Sequence, residues 1–236
     1  GNETAPSIHI NRFDMSQSDY EAAFAKTQQH LAQGDIYQIN LTMRAELEQA
    51  GSAAALFDNL LFQQPVGYAS LLHLGDQKVL SISPELFLQR KGMQLTTRPM
   101  KGTAQRGRTT AEDAHVQDWL QSDVKSRAEN TMILDLMRND LSRITKAGSV
   151  CVPSHCEVEQ YRSLFQMTST TTGELVDGAE LPEIIEELFP CGSITGAPKL
   201  RAMEIIDDLE KSPRGVYTGS IGMIEPNGDF TFNVAI

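Results

Sequence analysis

Between residues 68 and 97 the sequence sets strand-like runs almost end to end. They fall at 68–74, 78–83, 86–90 and 93–97, separated by Gly, Asp and Pro turns. Apolar residues packed this densely between turn residues commit the middle of the chain to a sheet. A further β-branched run, "SLFQMTSTTTGEL" (163–175), and a tail with Asn227-Gly228 near a hairpin turn add strands on the C-terminal side.

Helical patterns surround these runs. "SDYEAAFAKTQQHLAQG" (18–34) opens with Ser18 and Glu21 in capping-box spacing, and Gly34 follows where a helix stops. Tyr20, Phe24, Thr27 and Leu31 fall on one face of it. Residues 111–146 read as mostly helical, a shorter helix covers 181–188, and another begins near "FPCGSITGAPK" with Pro198 in its first turn. Ala202, Ile205, Ile206 and Leu209 give that last helix an apolar stripe. "DIYQINLTMRAEL" alternates like a strand with apolar groups on both faces. With 236 residues, 40% of them hydrophobic, one mixed α+β domain over 1–236 is the simplest account. The last residues, "FTFNVAI", break off inside a strand pattern, which reads as a fragment.

A net charge of −11 argues against a nucleic-acid or anionic-membrane surface. No apolar run reaches the roughly 20 residues of a membrane span, and "GNETAPSIHI" is no signal peptide. Three cysteines do not form a disulfide framework, so a reduced, cytoplasmic setting is expected. Cys151, His155 and Cys156 lie close together, but structural zinc sites pair ligands on both sides of a loop, and Cys191 is far away.

Three features carry chemical interest. In "TTRPMKGTAQRG" (96–107), Lys101 lies in what reads as a tight polar turn, and Arg98, Lys101, Arg106 and Arg108 have no acidic residue among them. That reversal of local charge suits an anion, or is a solvated basic loop. Gly102 and Gly107 allow close backbone approach there. Next, Glu129 shares a helical stripe with Ile133, Leu136 and Met137, so it pairs with Lys125 or Arg127 or binds a cation such as Mg²⁺. Finally, "GSITGAPK" opens a helix with backbone N–H groups free for an anion, yet its glycine spacing and Lys199-Leu200 exclude a P-loop. No G-x-S-x-G is present, and the histidines show no triad context.

These segments, in the order "GDIYQINLT", "SPELFL", "TTRPMKGTAQRG", "RAENTMILDLMRNDLSRI", "GSITGAPKLRAMEIID" and "RGVYTGSIG", resemble the chorismate-utilising enzymes, on their aminodeoxychorismate branch. The resemblance implies an α+β fold of large antiparallel sheets flanked by helices, with residues 1–236 a partial catalytic domain truncated at both ends. It implies chorismate as substrate, Mg²⁺ on the substrate carboxylate, and ammonia from a separate glutamine amidotransferase subunit. The product is 4-amino-4-deoxychorismate, the precursor of 4-aminobenzoate and folate.

The lysine matched by Lys101 separates the branches, anthranilate synthases having alanine there; in the family it adds to the ring at C2. Glu85 of "SPELFL" matches the acid/base carboxylate, which by composition alone is an exposed strand-start glutamate. Glu129 matches a Mg²⁺ ligand, and Gly102, Thr103, Ser193 and Tyr217 match substrate contacts. An ammonium cannot attack, so Lys101 must be neutral part of the time, which desolvation or a cation such as Arg98 favours.

Departures from the family pattern are Gln166 in place of a common histidine, Cys191 in place of glycine, and Gly67 in "QPVGYASLL" in place of proline. The family continues past "FNVAI" into a carboxylate-binding arginine, a glycine-rich loop and a second Mg²⁺ glutamate, so residues 1–236 alone are expected to show no turnover. Two other readings stay open: an anthranilate synthase or other chorismate enzyme, and a non-catalytic domain that binds a ligand or partner.

Overall fold

A computed structural model describes residues 7–236. Its centre is a seven-stranded antiparallel sheet, as the crowded strand pattern requires. β4 (Tyr68–Leu74) and β5 (Gln77–Ser83) form a separate hairpin. β6 (Leu86–Lys91), β7 (Gln94–Arg98) and β8 (Met100–Gln105) enter the main sheet. β9 (Cys151–Gln160), β10 (Leu164–Glu174), β12 (Gly222–Ile224) and β13 (Phe230–Asn233) complete it. The order is β12-β13-β6-β7-β10-β8, with β9 on the free edge of β10.

The strand carrying Lys101 was expected to be a turn. It is instead part of one long run, β7–Pro99–β8, laid along β10: Thr97 faces Thr171, and Ala104 faces Phe165. Proline has no N–H for the ladder, so the interruption falls at Pro99, whose carbonyl still accepts from Ser169 N at 3.2 Å. Single-sequence pattern could not show this pairing, because the partner strand lies some sixty residues downstream.

Helices cover the sheet. α3 (Thr110–Ser122) and α4 (Val124–Ser142) replace the single helical stretch, split at Asp123, which caps α4 through Ser126 N at 2.8 Å. Ile133, Met137 and Leu141 of α4 pack on Phe87, Leu88 and Leu95, together with Ile184 and Leu188 of α5 (Leu181–Leu188). Each such fully buried aliphatic side chain contributes roughly 1.5–3 kcal/mol by leaving water. α5 begins and ends where the sequence places it.

The cap of α1 (Gln17–Gln33) lies two residues ahead of the expected one. Ser16 and Asp19 make the capping box, with Ser16 Oγ accepting from Asp19 N at 3.1 Å. Its inward face is Ala23 and Thr27, whereas Tyr20 and Phe24 are exposed. α6 (Lys199–Leu209) keeps its predicted stripe: Ala202, Ile205 and Leu209 join Ala23 and Ile36 in a second core. Pro198 stands at the cap rather than inside the first turn.

The long strand expected over "DIYQINLTMRAEL" divides. β2 (Gln38–Ile39) pairs with β11 (Gly196–Ala197), whereas β3 (Ala45–Ala50) pairs with β1 (Ser7–Phe13). α2 (Ala53–Gln63), capped by Ser52, and the strands β1 and β9 carry no clear sequence signal. No helix among the described residues is long and apolar enough to cross a membrane.

Candidate functional site

The short β2–β11 ladder brings "YQINL" against the loop after α5, which includes a 3₁₀ turn, Gly192–Ile194. Asn40 N donates to the Thr195 carbonyl at 2.9 Å, locking the two segments together. Gly196, at φ +154°, lies so close to the Gln38 carbonyl that a Cβ would meet it at 2.2 Å. This junction and the start of β8 wall an open cleft of about 430 Å³.

Lys101 reaches into the cleft. Its Nζ donates to the Ser193 carbonyl at 2.7 Å and to Asn40 Oδ1 at 3.1 Å. Burial lowers its pKa below the ordinary lysine value, while the charges of Glu85, Glu129 and Cys191 pull the other way. Arg98, the cation expected to depress this amine, is paired with Glu159 at 3.0 Å and has no part in it.

Glu85 stands at the cleft floor, only 5% exposed and therefore not the solvated strand-start carboxylate that composition suggests. Burial raises its pKa, opposed by the Ser193 hydroxyl, the Lys101 charge and the Met100 amide. The Cys191 thiol, 3.2 Å from Ser193 Oγ, is also buried and pushed up to about 12. Tyr217 also lines the cleft, half-exposed.

The cleft thus gathers Lys101, Glu85, Ser193 and Tyr217. Gly102 and Thr103 are beside Lys101 on β8 but turn elsewhere. Gly102, at φ +87°, backs onto α4, where an added Cβ would meet Ser126 Cβ at 2.8 Å. Thr103 is exposed and donates to Gln166 Oε1 at 2.8 Å. Close approach at Gly107 likewise serves packing, since a Cβ would meet Asp113 N at 2.4 Å.

Part of the basic cluster around Lys101 is already compensated. Arg106 forks onto Asp113, and the Arg108 amide donates to Glu112 at 2.8 Å. These acids belong to α3, a few residues past the stretch that looked uncompensated.

Asn40 and Thr42, which line the cleft, drew no attention in the sequence. Neither did Glu210 and Arg214 behind it. The available signal was Arg214 itself, a lone cation held between Pro213 and Gly215.

Over residues 2–236 the sequence matches the family described as chorismate binding enzyme. The chain belongs to that family. It is 40% identical over 222 residues to aminodeoxychorismate synthase component 1 of Bacillus subtilis, covering 94% of this chain and 47% of that protein. It is 36% identical over 234 residues to anthranilate synthase component 1 of Aquifex aeolicus, covering 99% of this chain and 47% of the other. The crystal structure of anthranilate synthase component I from Streptococcus pneumoniae superposes with a TM-score of 0.87 at 30% identity, covering 99% of this chain and 51% of that one. The chain therefore spans about half the length of the curated relatives it matches.

For a chorismate-binding enzyme, the metal expected from the resemblance needs oxygen donors. Glu129 of α4 is 38% exposed and its nearest cation is Lys125 Nζ at 3.8 Å. Among the described residues, no three His, Cys, Asp or Glu side chains converge. Glu129 would supply one carboxylate oxygen to such an ion, as magnesium sites that lean on substrate and water require, and no step below passes through a metal.

Proposed function

We propose that this chain carries the reacting lysine of an enzyme that aminates chorismate to 4-amino-4-deoxychorismate. The observation that carries the reading is the shared cleft of Lys101 and Glu85, where burial drives both groups toward their neutral forms. A neutral amine is the nucleophile and a neutral carboxyl is the proton donor, so one desolvated cleft prepares both partners at once. The presence of lysine at 101, where the resemblance gives anthranilate synthases alanine, favours amination at C4.

The Lys101 amine bonds to ring C2 while the C4–oxygen bond breaks, and Glu85 gives its proton so that water departs. Ammonia then bonds to C4, the C2–Nζ bond breaks, and the lysine leaves as a neutral amine. The Glu85 carboxylate takes the proton from the new ammonium and is ready for another cycle. Ser193 holds the amine through its carbonyl, and its hydroxyl sits against Glu85. Tyr217, half-exposed in the same cleft, offers its phenol to the substrate.

Residues 1–236 are part of the catalytic domain in this reading. Ammonia comes from a glutamine amidotransferase subunit, in keeping with relatives named component 1. Mg²⁺ would be held by Glu129 together with the substrate, where it would neutralise carboxylate charge. The experiment is a product assay of the full-length protein with chorismate, Mg²⁺ and ammonia. Formation of 4-amino-4-deoxychorismate supports the reading; anthranilate with released pyruvate overturns it.

A further inference from the structure

Behind the cleft lies a guanidinium with every N–H committed. Arg214 donates through Nε and Nη2 to Glu210, at 2.9 and 2.6 Å. Nη2 also donates to the Asn40 carbonyl at 2.6 Å, and Nη1 donates to the Ile194 carbonyl at 2.9 Å and to Thr218 Oγ1 at 3.5 Å. Those five contacts use the five donors a guanidinium has. Glu210 extends the connection, accepting from Thr42 N at 3.0 Å and Thr42 Oγ1 at 3.1 Å.

The partners of this pair are not scattered. Asn40, Thr42, Ile194 and Thr218 all line the lysine cleft, and they come from three stretches of chain far apart in sequence. Asn40 supplies one acceptor for the Lys101 amine, and Ser193, the residue before Ile194, supplies the other. Both side chains of the strut are nearly enclosed, Arg214 at 14% and Glu210 at 6% exposure, so the pair is screened little by solvent.

We infer that Arg214 is a positioning residue for the reacting amine: it fixes the separation of Asn40 and the Ser193–Ile194 turn, and so the place and protonation of Lys101. A surface ion pair needs no such arrangement. An arginine whose planar fork spans a carboxylate, two carbonyls and a hydroxyl cannot be replaced by lysine, which presents one ammonium on a flexible stem.

The direction of the effect follows from the groups around Lys101. Glu85 at the start of β6, Glu129 on α4 and Cys191 after α5 face it, and burial outweighs them in holding the amine toward its neutral form. Loosening the walls admits water and removes that burial. Loss of the Arg214 charge beside a retained Glu210 acts in the same sense.

The test follows the titration of Lys101 rather than turnover. It uses pH-dependent acylation of Lys101 read by peptide mass spectrometry, in the full-length protein with Arg214→Lys and Arg214→Ala. The expected result is a labelling midpoint at least one pH unit higher in both variants, about a tenfold slower acylation at a fixed pH below the midpoint. Guanidinium added to Arg214→Ala should restore the original midpoint and should do nothing for the parent protein.

An unchanged midpoint in either folded variant overturns the inference. So does failure of both variants to fold with no restoration by guanidinium, since Arg214 would then serve stability alone. The inference deepens the proposed chemistry of Lys101, but its readout is separable. A shifted midpoint without 4-amino-4-deoxychorismate formation in the parent would sink the proposed reaction and leave Arg214's role standing.

Discussion

Lys101 Nζ lies 2.7 Å from the carbonyl oxygen of Ser193, a residue 92 positions further along the chain. The contact aims a strand-borne amine at the turn preceding α6 and places it over the buried carboxyl of Glu85. An amine that donates to a carbonyl keeps its lone pair available on another side, as a nucleophile requires.

Removing the amine is the most direct trial of the chemistry. Lys101→Ala in the full-length protein should lower 4-amino-4-deoxychorismate formation by at least about a hundredfold, within the range for a directly participating group. Chorismate affinity should change little, because a substrate of this size keeps its other contacts. Product quantification by chromatography, with a binding titration alongside, checks both parts.

Glu85→Gln should separate catalysis from stability. Turnover falls about 10²–10⁴-fold because an amide cannot deliver the proton. Stability moves the other way. The folded-state pKa of Glu85 is raised, so the unfolded chain ionises first, and stability is lost as pH rises from the ordinary carboxylate range through the raised value. Thermal unfolding of Glu85→Gln should therefore show a gain over the parent at pH 8 that shrinks toward pH 4.

The turnover profile should rise as Lys101 loses its proton and fall as Glu85 loses its own, giving a bell. Because burial lowers the first pKa and raises the second, the two limbs move toward each other and the active fraction grows. A rate-against-pH series should flatten on its alkaline side in Glu85→Gln.

Gly102→Ala should destabilise the protein by about 1–3 kcal/mol, since a Cβ at φ +87° is strained and would also press on Ser126. Ser126→Gly in the same chain removes the collision but not the backbone strain. Partial recovery in urea unfolding is the expected result, and full recovery would show that collision was the whole cost.

Lys199 and Asp140 join α6 to α4 at 2.5 Å, with side chains 12% and 5% exposed. Burial raises the Asp140 pKa in spite of that lysine, so the carboxylate leans on its partner to stay charged. Lys199→Met alone should cost about 3–5 kcal/mol, and adding Asp140→Asn should return part of it. A double-mutant cycle by denaturant unfolding measures the coupling.

Much of the architecture was legible from local pattern. Strands at 68–97, the helix at 181–188 and the stripe of Ala202, Ile205, Ile206 and Leu209 are each specified by residues within one turn or one strand of one another. β1 was missed and β3 was merged with β2 into one strand, because their residues are exposed on both faces and their pairing partners lie far apart in sequence. The face of α1 misled for a related reason: its aromatics, Tyr20 and Phe24, stack on each other at the surface while Ala23 and Thr27 face inward.

The candidate site divides along the same line. Local pattern shows which groups exist: a lysine beside a glycine, a glutamate after Ser-Pro, a glycine-bearing turn before a helix, and the ordered segments that mark the family. Only tertiary structure decided that Lys101 lies in a strand, that Arg98 and Arg106 are already neutralised by Glu159 and Asp113, and that Arg214 braces the walls around the amine. The physical reason is range. Helix periodicity and turn chemistry act over a few residues, whereas desolvation and hydrogen-bond partnership depend on atoms that folding brings in from distant parts of the chain.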